Sequence, residues 1–323
     1  MPATASLSQL AAWHTEDHAE LADLFDELGL ALGSDDVTPR EQIQQVWSIE
    51  LGPDLGAAGQ GLLTGYYEPL FDGRLRRDEC FNVPVYGPPP GLEVRVDPVD
   101  GSTTYGAGTA GQTLRPFFSR AEIDAGALDT AGCVIAWMRS AVDRFIVQVQ
   151  GSGLLRLADG TQLALGFAAK NGHPYTSIGR LLIERGEIPA EEMSLARLRE
   201  WLEADAARGS ALMRENRSFI FFRRTSPERP EGRGPSGRHS VALIPGRSIA
   251  VDPDVYPLGS VLWLESRAAG LSQIAFAHDI GSAIRGAHRA DLFFGTGEAA
   301  GVRAGGLMAD LRIHRLVPRV ACS

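Results

Sequence analysis

The chain has 323 residues, 44% hydrophobic and 22% charged, the composition of an ordinary globular protein long enough for two domains. A net charge of -9 and a pI near 5.3 argue against non-specific binding to nucleic acid or to an anionic membrane surface. No apolar run approaches the roughly 20 residues of a transmembrane helix, and the first residues lack the basic and apolar regions of a signal peptide.

The chain opens with helical patterning. Leu21, Leu24, Phe25 and Leu28 follow the i, i+3, i+4, i+7 spacing of one buried stripe. A second helix starts at Thr38-Pro39-Arg40-Glu41, where Thr38 caps, Pro39 suits the first turn and Glu41 completes a capping box. From Gly61 the texture changes to short strands punctuated by Gly and Pro, and YGPPPG (86–91) is a hinge-like break, since consecutive prolines cannot join a central strand. FIVQVQGSG (145–153) alternates apolar and polar residues and reads as a half-buried strand. ADGTQ (158–162) reads as a hairpin turn around Asp-Gly. Two helices are expected at 178–184 and 195–207, then a strand at NRSFIFFRR (216–224) and a polar surface loop, SPERPEGRGPSGRHS. The remainder, VALIP, IAVD, VLWLES, IAFAHD and LRIHRLV, is a series of short strands that suggests a closed β-barrel.

The residues with chemical potential cluster late in the chain. HDIGSAIRGAHRADLFFGTG (278–297) places Asp279 and Asp291 among glycines, with Asp291 leading into Leu292, Phe293 and Phe294. A carboxyl against aromatic surface is hard to ionise, so Asp291 is expected to hold a proton near neutral pH, as a general acid for a glycosidic oxygen must. Both aspartates fit equally well as Asx-turn residues in a Gly-rich loop. TGYYEP (64–69) offers aromatic planes for sugar stacking and a second acid, Glu68, which is either a rival donor or a solvated charge before a turn.

QGSG (150–153) and AAKNGHPYTSIG (168–179) bring small and polar residues beside apolar strands, and Lys170 is the only lysine among 31 basic residues. His173 has no second histidine at ligand spacing, Ser152 has no His–acid context, and neither a GxGxxG–helix unit nor a P-loop occurs. No metal, cofactor or nucleotide is therefore expected. Cys80, Cys133 and Cys322 lack CxxC spacing, and their odd number leaves at least one free thiol.

Taken in order, TGYYEP, VQGSG, AAKNGHPYTSIGRLLIERGEIP, NRSFIFF and DIGSAIRGAHRADLFFGTGEAAG closely resemble the MltA family of membrane-bound lytic murein transglycosylases, from about residue 60 to 315. The resemblance implies a mainly β fold with flanking helices. A double-psi β-barrel catalytic domain (residues 1–85 plus 226–323) would be interrupted by a β-barrel-containing, partly helical domain (86–225), with a deep groove between them for the glycan. It implies cleavage of the β-1,4 bond between N-acetylmuramic acid and N-acetylglucosamine, leaving a 1,6-anhydro ring. Asp291 would be the single general acid and base, and Asp279 would support it. Tyr66, Gln150, Ser152, Gly153 and Lys170 would line the cleft.

The implied partners are peptidoglycan glycan strands and cell-wall synthesis or hydrolysis complexes, the implied state a monomer. The implied location is the periplasm of a Gram-negative bacterium, associated with the outer membrane. The chain departs from anchored members in showing no lipoprotein signal and no lipid-bearing cysteine near its start. Two other readings stay open: an inverting hydrolase using Asp279 and Asp291 as acid and base, and a glycan-binding module without catalysis.

Overall fold

The computed structural model describes residues 4–10, 12–52, 61–98, 103–109, 113–281 and 283–319. The chain divides into two compact units, residues 1–66, 232–295 and 307–323 in one, and 67–231 and 296–306 in the other. The Pro-rich stretch at 86–91 lies inside the second unit.

The chain begins in the first unit with β1 (Thr4–Ala5), α1 (His18–Glu27), α2 (Pro39–Val46), β2 (Trp47–Glu50) and β3 (Gly61–Glu68). Asp17 caps α1 by accepting from the Glu20 N–H, and the helix buries Leu21, Leu24 and Phe25, three residues of the expected stripe. Thr38 and Glu41 form the reciprocal capping box that opens α2. Tyr67 and Glu68, at the end of β3, belong to the second unit.

That second unit holds β4 (Leu70–Arg74), β5 (Val83–Tyr86), β6 (Glu93–Val96), β7 (Thr103–Gly106), α3 (Arg120–Asp124), β8 (Val134–Met138), α4 (Ala141–Gln150), β9 (Gly153–Arg156), β10 (Gln162–Lys170), α5 (Ile178–Glu184), α6 (Leu195–Ala204), α7 (Ala206–Glu215) and β11 (Ile220–Thr225). Six of its strands pair in the order β11-β10-β9-β4-β8-β5, and β6 with β7 forms a separate hairpin. The sheet curls until its two edges approach: a Cβ on Gly87, just past β5, would lie 3.5 Å from the Phe222 carbonyl oxygen of β11.

One element differs in kind from the expectation. FIVQVQ is helix, not strand. Ser140 caps α4 through the N–H groups of Val142 and Asp143, Asp143 sits in the first turn, and Gly151 ends the helix in the left-handed region at φ 80°. The helix buries Val142, Phe145, Ile146 and Val147, a 3.6-residue stripe that overrides the local two-residue alternation.

The chain returns to the first unit through β12 (Ser248–Val251), β13 (Val261–Ser266), β14 (Leu271–Ile280) and β15 (Arg289–Thr296), places α8 (Glu298–Gly305) in the second, and ends in the first with β16 (Met308–Pro318). The expected strand at VALIP is instead turn and coil apart from a single bridge at Ala242, while RADLFFGT, absent from the expected series of strands, is β15. The pairing runs β16-β13-β14-β12-β15-β3 and back to β16, so six strands close into a barrel, the all-β architecture expected, with no free edge around the ring.

Alternate residues fill its interior: Ile249, Val251, Leu262, Leu264, Ala275, Ala277, Ala290 and Leu292 are all buried there. The outward set on β13 and β14, Val261, Trp263, Ile274 and Phe276, is covered by Leu21, Leu24 and Phe25 of α1 and Ile43 of α2. Each such side chain contributes about 1.5–3 kcal/mol. Arg247 fixes this cover. Its guanidinium meets Glu16 at 2.9 Å and Glu20 at 2.6 Å and donates to the Ile274 carbonyl at 3.1 Å.

Candidate active site

The two aspartates flank one residue. In the ladder, Ala250 of β12 pairs with Asp279 of β14 on one side and with Asp291 of β15 on the other. Two strand spacings put their Cα atoms about 10 Å apart, at the same level of the sheet. Neither is a turn residue, so the Asx-turn alternative does not hold.

A β-bulge makes this arrangement possible. Ile249 pairs with Ala277 and the next residue, Ala250, with Asp279, so His278 is an extra residue in β14. Ala277 points into the barrel core. Regular alternation would send Asp279 inward after it; the bulge instead turns both His278 and Asp279 outward, onto the face of Ala250 and Asp291. His278 is held in place. Its ring stacks on Phe276 (centroids 5.5 Å) and His239 (5.9 Å), and its Nδ1 lies 2.9 Å from Ser248 Oγ. Burial, followed by the nearby His239 and Arg233, lowers its pKa to about 4, so it is neutral at physiological pH.

Asp291 receives one hydrogen bond, from Thr64 Oγ1 to Oδ1 at 2.7 Å. Among the described residues nothing engages Oδ2. Burial raises the Asp291 pKa above the usual carboxylate value, opposed by the Thr64 bond and the charge of Arg289. Because Oδ1 is already an acceptor, a proton on this carboxyl resides on Oδ2. The residue as a whole keeps intermediate exposure. The aromatic neighbours divide between faces: Leu292 and Phe294 point into the barrel, and Phe293 shares the outer face.

Asp279 is engaged at both oxygens. Tyr66 donates to Oδ2 at 3.2 Å, and the Arg238 N–H donates to Oδ1 at 3.1 Å. Its pKa is also raised, by burial first and additionally by the charge of Asp291, against the hydrogen bonds it accepts. Tyr66 packs on Phe293 with ring centroids 5.3 Å apart. Burial and the two neighbouring carboxylates push the Tyr66 pKa well up, so it stays a neutral donor. Tyr66, Asp279 and Asp291 are thus gathered on one face of the first unit, joined by Thr64 and the Arg238 backbone, which the sequence reading did not select.

The other candidates lie in the second unit. Gln150 ends α4 and its Oε1 accepts from the Tyr67 N–H at 3.1 Å. Ser152 is half-buried in the turn that follows. Gly153 opens β9, where an added Cβ would press within 3.2 Å of the Pro69 carbonyl oxygen. Lys170 pairs with Ile220 and holds its ammonium 5.7 Å from the centre of the Tyr105 ring. It stands five residues along β10 from Leu165, the partner of Gly153, a separation of about 16 Å, so it does not join the Gln150–Gly153 turn.

Glu68 is neither a rival acid nor a solvated charge. It is 1% exposed, takes a two-pronged ion pair from Arg229 at 3.0 and 2.6 Å, and accepts from Thr296 Oγ1 at 2.7 Å. The loop that supplies Arg229 was expected to lie wholly on the surface, and it also supplies the Arg238 N–H to Asp279. His173 is buried with Nε2 2.9 Å from the Phe117 carbonyl oxygen. Among the described residues no group of three His, Cys, Asp or Glu could hold a metal. Cys80 and Cys133 are free thiols, and Cys322 lies outside the described residues.

A barrel presenting one partnered and one half-free carboxyl beside a tyrosine is the kind of site that protonates a leaving oxygen. Residues 62–223 match the MltA specific insert domain and residues 247–317 the 3D domain. The chain is 34% identical over 288 residues to membrane-bound lytic murein transglycosylase A of Escherichia coli (strain K12), covering 85% of this chain and 70% of that protein. Among solved structures, a membrane-bound lytic murein transglycosylase from Agrobacterium tumefaciens superimposes with a TM-score of 0.82 at 28% identity, covering 98% of each chain. E. coli MltA with bound chitohexaose gives a TM-score of 0.70 at 32% identity, covering 88% of this chain and 79% of that one. The chain belongs to the MltA family.

Proposed function

We propose that this chain is a peptidoglycan lytic transglycosylase that cleaves the β-1,4 bond between N-acetylmuramic acid and N-acetylglucosamine and leaves a 1,6-anhydro end. The observation that carries the assignment of chemistry to residues is the pair of unlike oxygens on Asp291, one held by Thr64 and the other free. Oδ2 donates its proton to the glycosidic oxygen as the C1–O bond breaks and the ring develops oxocarbenium character. The carboxylate so formed removes the proton from the C6 hydroxyl as that oxygen bonds to C1. The proton returns to Asp291 and no water is consumed. Asp279, fixed by Tyr66 and the Arg238 N–H, supplies negative charge near the developing cation. With both its oxygens engaged, Asp279 is poorly disposed to activate a water, which weighs against an inverting hydrolase. Gln150, Ser152, Gly153 and Lys170 are proposed to line the glycan path.

We further assign the enzyme to the periplasm, next to the outer membrane, acting as a monomer on glycan strands, recruited by complexes that build or trim the wall. Among the described residues no helix is long and apolar enough to cross a membrane. The deciding experiment incubates purified sacculi with wild type and with Asp291→Asn and weighs the soluble muropeptides. Wild type is expected to release anhydro products 18 mass units, about one water, lighter than hydrolytic ones, and the variant to lose at least about 10²-fold in rate. Reducing-end products, or an Asn variant of undiminished rate, would overturn the mechanism.

A further inference from the structure

The second unit contains a cavity of about 400 Å³ that the proposed chemistry does not use. That volume lies within the range of small-molecule sites. Arg120, Arg144 and Arg214 contribute to its lining, together with Asp124, Tyr86 and Ala141.

The charges in its wall do not balance. Arg120 is 2% exposed; its guanidinium lies over the Phe145 and Phe219 rings at 4.7 and 5.1 Å, and its hydrogen bonds among the described residues go to neutral acceptors, the Asn216 carbonyl at 3.0 Å, Gln148 Oε1 at 2.6 Å and the Ser218 carbonyl at 2.7 Å. Arg144, 7% exposed, donates to Asp124 at 2.6 Å and to the Pro84 carbonyl at 3.2 Å. Among the described residues its Nε–H is buried without a hydrogen-bond partner. Arg214 reaches the same Asp124 at 3.5 Å with its side chain half exposed. Three guanidiniums therefore share one partly buried carboxylate, since the remaining acid in the lining, Asp129, is exposed.

Burial, then repulsion from Arg144, lowers the Arg120 pKa to about 9, an uncommon strain on a guanidinium. Ala141, the first residue of α4, adds the positive end of a ten-residue helix to the wall. An unsatisfied buried N–H, and buried cations that outnumber their carboxylates even where aromatic faces and carbonyls meet part of the charge, cost stability.

We propose that this cavity binds an oxyanion carried by a small ligand, with a carboxylate or phosphate oxygen drawn to the guanidiniums of Arg144 and Arg214 in its wall. If the chain acts on murein, the free carboxylates of its peptide stems are one source of that group; a dissolved oxyanion is the other. The site would then read the peptide part of the polymer separately from the sugar chemistry at Asp291.

The test is calorimetric titration of the full chain in the Asp291→Asn background, so that its outcome does not depend on cleavage. The probes are an acetylated D-alanyl dipeptide with a free C-terminal carboxylate, the same dipeptide as its C-terminal amide, and inorganic phosphate. Saturable one-to-one binding of the acid, at least tenfold weaker for the amide, supports the peptide source. Binding of phosphate without the acid supports the dissolved source. Arg144→Lys keeps a cation for Asp124 but removes the guanidinium's further donors, and is expected to weaken binding at least tenfold. Arg214→Gln, at a half-exposed position that the fold tolerates, is expected to weaken it severalfold. Failure of both the acid and phosphate to bind would overturn the proposal, as would wild-type affinity in both variants.

Discussion

At the scale of single residues, Thr64 shows how a neutral side chain can set the protonation of a neighbouring carboxyl. Its hydroxyl fixes Asp291 Oδ1 as an acceptor and favours the ionised carboxyl, while burial favours the protonated one. In a general-acid mechanism the protonated form is the active one, so the rate declines on the alkaline side as pH passes the Asp291 pKa. Thr64→Val removes the interaction that lowers that pKa, so the alkaline limb of the pH–rate profile should move to higher pH. Measurement of initial rates of sacculus solubilisation between about pH 4 and 9 checks it. A limb that stays in place or moves downward would show that Thr64 does not govern the proton. Asp291 was visible as a candidate because a carboxyl leading into aromatics is an unusual pattern; the paired tyrosines were visible too, but only the family resemblance singled out Tyr66. Thr64 was not, because a threonine in a strand is ordinary until the neighbouring strand and its register are known.

At the scale of elements, the bulge in β14 and the helix α4 illustrate opposite limits of reading a sequence. The α4 region carried readable stop and start signals, Ser140 with Asp143 three residues on and Gly151 at the end, but the FIVQVQ alternation masked them. The bulge carried none: it exists only against the pairing of β12, and no spacing within IAFAHD announces it. His278 is the residue that holds it, neutral and stacked between Phe276 and His239. Its pKa of about 4 lies below the value of about 6.5 in an unfolded chain, so the unfolded state takes up the proton first. The contribution of His278 to stability is therefore complete above about pH 6.5 and is lost as pH falls from there towards 4. His278→Gln, which can still accept from Ser248, should flatten urea-midpoint curves over that interval by up to about 1.4 kcal/mol per pH unit. Parallel curves for the two proteins would assign the acid sensitivity elsewhere.

On the scale of the whole molecule, the first unit is assembled from three stretches of chain, and its closure depends on partners far apart in sequence. β16 pairs with β13 along one edge and with both β2 and β3 along the other. The closed barrel was legible in the run of short strands, and the cover of α1 and α2 in the helical stripe. The division of the chain was less so, because strands β3 and β15 carry it across without a compositional break. A chain stopped after Gly306 keeps the barrel's other five strands but leaves β13 and β3 with bare edges. It is expected to be recovered as aggregate, whereas a soluble, cooperatively melting product would show that β16 is dispensable.

The pairing of Met308 with Thr64 gives β16 a role in timing as well as in shape. Thr64 is made before Asp291, yet the strand that clamps the threonine's backbone leaves the ribosome after both. A nascent polypeptide thus carries both Thr64 and Asp291 before it possesses the ring that orients them. The ring therefore cannot close until β16 has followed Asp291 out of the ribosome.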